Sequence, residues 1–165
     1  MSEAPGWLET ILLSLVAGGG GHFLYAFVAQ LVKSKESQER ARDEEIADIS
    51  KLIDEVVSDL SQYLSKSAEA LDSQDIVLSA RIQSVIHDLN WRIRDVFEDD
   101  LLLQDNCNRR WSTLYNSALG SDYFKMADRP AEPGRLAEAM KASRDLRRAV
   151  KRSQRSMKRR FLSGR

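Results

Sequence analysis

The 165-residue chain has little of what breaks helices or builds covalent frameworks: three prolines, one cysteine and two histidines. Pro5, Pro130 and Pro133 leave residues 6–129 free of proline, so that stretch can be helical nearly throughout. With Cys107 alone, no intramolecular disulfide forms and no cysteine-based zinc cluster can be built. His22 and His87 show no carboxylate spacing that suggests a metal. A phosphate-cradling glycine loop is also missing, because the glycine run sits inside an apolar segment. No cofactor is therefore expected, and the sequence carries no strong catalytic motif.

Charge is missing from one stretch altogether. Residues 10–32 form a run of 23 without Asp, Glu, Lys or Arg. As a helix it would be about 34 Å long, slightly more than a bilayer's hydrocarbon core of about 30 Å. Residues 1–6 lack a basic n-region, so the run is read as an anchor rather than a secretory signal. Glu3 and Glu9 precede it, and Lys33, Lys35, Arg40 and Arg42 follow. The positive-inside tendency then predicts a single pass through an inner or plasma membrane, N-terminus outside and C-terminal part cytoplasmic. Trp7 falls where an interfacial aromatic is expected.

Within the run, Ser14, Gly18, Gly21, Tyr25 and Ala29 follow 4-3-4-4 spacing and share one helical face. Small residues let helices approach closely in lipid, so this face predicts a homo-oligomer. His22 and Gln30 lie near each other on the wheel and are the candidate pore-lining residues. A neutral imidazole bonded across a helix pair is the plainer reading of His22.

After the run the chain is periodic. Ile46, Ile49, Ile53, Val56, Leu60 and Tyr63 repeat at 3-4-3-4-3, the spacing of a coiled-coil seam. This predicts a helix from about Ser34 to Leu71, continuous with the apolar segment. Asp72-Ser73 offers a cap for a second helix with Leu78, Ile82, Val85, Leu89, Ile93 and Val96, reaching about Gln104. Residues 105–108 read as a polar interruption. A short third helix carries Trp111, Leu114, Tyr115 and Ala118 and stops at Gly120. A loop from Ser121 to Gly134 precedes a last helix to about Phe161, with Leu136, Met140, Ser143, Leu146, Val150, Met157 and Phe161 on one side. The expected fold is all-α: an N-terminal transmembrane helix in residues 1–33, then a cytoplasmic bundle of about four helices in residues 34–165.

The formal net charge of zero conceals a segregation of sign. Residues 36–105 hold 18 acids against 7 bases, and residues 141–165 hold 11 bases against Asp145. The basic patch is Arg144, Arg147, Arg148, Lys151, Arg152, Arg155, Lys158, Arg159 and Arg160. It is expected first to pack across the acidic helices. Anionic lipid and RNA phosphate are the alternative partners.

Arg81 and His87 form an Arg-x5-His pair on the second helix. In an all-helical setting this resembles the HEPN family, whose Arg-x(4–6)-His motif builds a ribonuclease site across a dimer. Ile82 departs from the family's usual polar residue, and on a continuous helix the pair diverges by about 120°. A membrane segment ahead of such a domain is similar in layout to the small membrane accessory proteins of type VI-B CRISPR systems. That resemblance implies a self-associating effector in antiviral defence, pore-forming or membrane-perturbing. The alternatives are a membrane-tethered ribonuclease using Arg81 and His87, and a phage lysis protein of the holin kind. A non-enzymatic role carries more weight than an enzymatic one.

Overall fold

The computed structural model describes residues 20–67, 73–120 and 130–162. Four α-helices account for nearly all of them: α1 (Gly20–Leu64), α2 (Ser73–Val96), α3 (Leu101–Leu119) and α4 (Pro133–Leu162). Among the described residues there is no strand. The chain divides into two compact units, one ending at Ala41 and the other running from Arg42 to Arg165. In the first unit α1 carries an exposed i,i+4 pair, Glu36 with Arg40. Helix α1 runs unbroken past position 33, where the sequence places a division. The second unit begins at Arg42, whose side chain reaches Asp99 in the turn between α2 and α3.

That second unit is an up-and-down bundle. The Glu132 N–H donates to the Leu64 carbonyl at 2.9 Å, which sets the start of α4 beside the end of α1. At the opposite end Arg42 meets Asp99 at 3.1 Å, Lys158 meets Asp43 at 2.6 Å, and Arg160 pairs with Asp100. The entry of α1, the α2–α3 corner and the end of α4 therefore converge. We call this the entry end.

The heptad stripe forms the core. Ile46, Ile49, Ile53, Val56, Leu60 and Tyr63 are each at most 4% exposed. From α2 come Ile82, Ile86, Leu89, Ile93 and Val96. Val85, expected inside, is half-buried, and Ile86 takes the central place. Small side chains govern the α4 side. Ala139, Ala142, Ala149, Ser143 and Ser153 are buried there, facing Cys107, Leu114 and Ala118 of α3. Short side chains let two helix backbones come close, and α4 packs most extensively on α3. Ser143 returns its hydroxyl to the Ala139 carbonyl at 2.8 Å, so its burial leaves no unmet donor. Met140, expected on the inner side, is 39% exposed.

Three boundaries differ from expectation. Helix α1 stops at Leu64 rather than Leu71, where its last apolar contacts end. Helix α2 stops at Val96 rather than Gln104. Phe97 buries its ring in a turn, and Asp100 caps α3 by accepting from the Leu103 N–H at 3.2 Å. Residues 105–108, expected as an interruption, lie inside α3. Asp105 and Arg109 pair there at 2.6 Å, and Cys107 turns into the core. Asp100→Ala removes both the cap and a partner of Arg160. It should cost about 1–2 kcal/mol, mostly from the cap, read as a lower denaturation midpoint in mild detergent.

Among the described residues no helix is long and apolar enough to cross a membrane. Residues 10–19 of the charge-free run, with Ser14 and Gly18, lie outside the described residues. Residues 20–32 are part of α1, so Gly21, His22, Tyr25, Ala29 and Gln30 occupy a continuous helix.

Candidate functional site

Helix α4 separates its cations by direction. Its inner flank is spent on the bundle. Arg147 pairs with Asp54, and Lys158 together with Gln154 holds the Asp43 carboxylate at 2.6 and 2.7 Å. The Lys158 hydrogen bond keeps the Asp43 carboxyl below its ordinary value, against the opposing effect of burial. Arg160 reaches the Asp100 carboxylate. The basic helix therefore lies across acids of α1 and of the α2–α3 corner.

The outer flank is different. Lys141, Arg144, Arg148, Lys151, Arg152, Arg155 and Arg159 are all exposed. At 100° per residue they fall within an arc of about 100° and extend about 27 Å along the helix. Arg148 meets Asp145 at 3.7 Å, and Arg144 donates to the Met140 carbonyl at 3.2 Å. Lys141, Lys151, Arg152, Arg155 and Arg159 make no ion pair among the described residues. Such a row presents a continuous positive potential to anything anionic.

The residues of the Arg-x5-His pair go to different neighbours. Arg81 donates to Glu55 through Nε at 3.1 Å and through Nη2, and its Nε also stands 3.1 Å from Asp59 Oδ2. These carboxylates raise the Arg81 pKa further. His87 sits edge-on to the Tyr115 ring with centroids 6.0 Å apart. Tyr115 is stacked in turn near Trp111, whose indole N–H donates to the Ile86 carbonyl at 2.9 Å. Within one chain Arg81 thus serves the α1–α2 contact and His87 the α2–α3 contact. The Asp88–Arg92 pair, read from the sequence as a solvated face, forms at 3.2 Å, and Arg92 also approaches Asp48 at 3.8 Å.

Among the described residues Asp59 is the one buried carboxylate, 3% exposed. Burial raises its pKa, and the Arg81 charge opposes that only partly. Its Oδ2 makes no hydrogen bond despite the Arg81 contact. The native state therefore holds the Asp59 proton more tightly than the unfolded chain does. The resulting cost is absent below the unfolded pKa and is present in full above the folded one. Asp59→Asn should accordingly gain stability relative to wild type as pH rises from 4 to 7. Denaturation midpoints at the two pH values measure this, and a gap that narrows toward neutral pH would refute it.

Among the described residues no group of three or more His, Cys, Asp or Glu side chains could hold a metal ion. Cys107 is buried, its thiol 3.5 Å from the Ser153 hydroxyl, and burial raises its pKa. Such a thiol is a packing residue rather than a nucleophile. In the other unit, Gly21, His22 and Tyr25 are helical, Ala29 is half-buried and Gln30 is exposed.

One feature escapes sequence periodicity. Leu101 and Leu102, which look like a continuation of the α2 stripe, are 75% and 78% exposed at the entry end. The signal that could have found them is Asp99-Asp100, an N-cap pair that restarts the helix and rotates its phase.

The chain matches no protein-family model, and no match to it was found among curated proteins or solved structures. Function is therefore argued from the site itself.

Proposed function

We propose that this protein is a membrane-anchored, self-associating helical bundle that acts as an effector or interaction module on the cytoplasmic face. The observation that carries the reading is the charge-free run of residues 10–32, with acids before it and Lys33 and Lys35 after it. Its second half belongs to the same unbroken helix that supplies the bundle's heptad stripe. Self-association is assigned to the face of Ser14, Gly18, Gly21, Tyr25 and Ala29, whose mostly small residues support close helix approach in lipid. The resemblance in layout to type VI-B accessory proteins makes membrane perturbation the first activity to test.

The working surface is the bundle rather than a catalytic centre, since Arg81 and His87 each have structural employment. Deleting residues 10–32 should release the chain from the membrane fraction. Expressing the full chain and the deletion side by side, with a dye-uptake readout, tests anchoring and activity together. The full chain should pellet with membranes and admit dye, and the deletion should do neither. A deletion that still pellets with membranes contradicts the anchor.

A further inference from the structure

We infer that the entry end of the bundle is a second membrane contact, in which Leu101 and Leu102 enter the interfacial layer of an anionic bilayer while Arg152, Arg155 and Arg159, on the last turns of the outer face of α4, hold the headgroups. The inference rests on the anchored reading above.

Several observations converge on it. Leu101 and Leu102 are adjacent, open the first turn of α3, and are the most exposed large apolar side chains among the described residues. Covering a leucine fully is worth about 1.5–3 kcal/mol, so a pair left in water is a standing cost. The corner that carries them is pinned beside the entry of α1 by Arg42–Asp99 and beside the last turns of α4 by Arg160–Asp100. Those last turns bring Arg152, Arg155 and Arg159, none of them ion-paired among the described residues. The local acids Asp99 and Asp100 are neutralised by the same two bridges, which leaves Asp95 and Glu98 as exposed carboxylates beside the corner with no ion pair among the described residues.

Chain length supplies the proximity. Ten residues join Val32 to Arg42. Even fully extended they reach at most about 36 Å, so the entry end cannot leave the neighbourhood of the bilayer. The opposite end lies a further 22 residues along α1, about 33 Å away in helix. An apolar pair beside a cationic row is the composition of a surface-bound helix, and each cation near an anionic leaflet contributes about 1 kcal/mol. Single-stranded nucleic acid is bound by stacking on aromatic rings, and the seven outer positions of α4 are all Lys or Arg. A phosphate backbone would also leave the leucines in water.

The test uses the full chain, Cys107→Ser, with an environment-sensitive fluorophore on Leu102→Cys, reconstituted into nanodiscs. The comparison label is on Asn116→Cys at the opposite end. In phosphatidylglycerol-containing discs the label at 102 should shift to the blue and be quenched by spin-labelled lipid. The label at 116 should not respond. Phosphatidylcholine discs should give a weaker response, and Arg152→Gln/Arg155→Gln/Arg159→Gln should erase the difference between the two lipids. If the chain incorporates but the label at 102 stays as exposed as that at 116, the inference fails and the anchor stands. If the chain does not incorporate, both fail. A response to polyuridylate without one to anionic lipid would reassign the basic face to nucleic acid. A shift in detergent that grows with protein concentration would reassign the leucines to a second copy. Either reassignment overturns the inference.

Discussion

Leu146→Asp is expected to unfold the bundle without changing how the chain fractionates with membranes. Leu146 is fully buried on α4, in the core cluster that also holds the heptad stripe of α1 and the inward residues of α2 and α3. An ionised carboxylate placed there has no cation within the apolar core, and neutralising it instead requires a raised pKa. Either route costs several kcal/mol, a large part of the roughly 5–15 kcal/mol that holds a domain of this size together. Because the helices share a single core, the loss is cooperative. The volume-conserving Leu146→Met should cost less than about 1.5 kcal/mol and serves as the control. Far-UV circular dichroism in mild detergent would show the helical signal falling and its melting transition disappearing for the Asp variant alone. Membrane fractionation of both variants should match wild type if residues 10–32 are the anchor. An Asp variant that still melts cooperatively near the wild-type temperature would place Leu146 at the surface.

The second large effect is on assembly. Gly21→Leu inserts a branched side chain into the face formed by Ser14, Gly18, Gly21, Tyr25 and Ala29. Close helix approach in lipid depends on the absence of side chains at such positions. The expected result in detergent is a fall in mass from oligomer to monomer, measured by light scattering, with the bundle still folded. Leu12→Ile, off this face, should leave the mass unchanged. A wild type that is monomeric would remove self-association from the account. An oligomer indifferent to Gly21→Leu would move the contact to the helices of the bundle.

The sequence made some elements plain and hid others, and the difference is physical. The α1 stripe could be read residue by residue because a 3-4 repeat of large aliphatics admits one helical phase, and all six residues are buried. Pairing between the basic helix and the acidic helices followed from opposite net charges. Which cations stay outside did not follow, because that depends on the rotation of α4 about its axis. Buried Ala139, Ala142, Ala149, Ser143 and Ser153 set that rotation, and none of them carries a strong hydrophobic signal. Reading Met140 as inward was the consequence of weighting size. The α2–α3 boundary was obscured by Leu101, Leu102 and Leu103, whose apolar run continues the pattern past the true turn. There Phe97 is buried and Asp100 captures the Leu103 N–H, a tertiary event and a local one that periodicity alone does not register. Arg81 and His87 matched a spacing, yet each is engaged by a neighbouring helix that a spacing cannot reveal.

The central claim is that residues 10–32 anchor this protein. The most direct measurement is extraction of the intact chain from membranes with alkaline carbonate, followed by sedimentation. An anchored chain stays in the pellet through carbonate and high salt and enters the supernatant only with detergent. A chain that partitions to the supernatant without detergent contradicts the account.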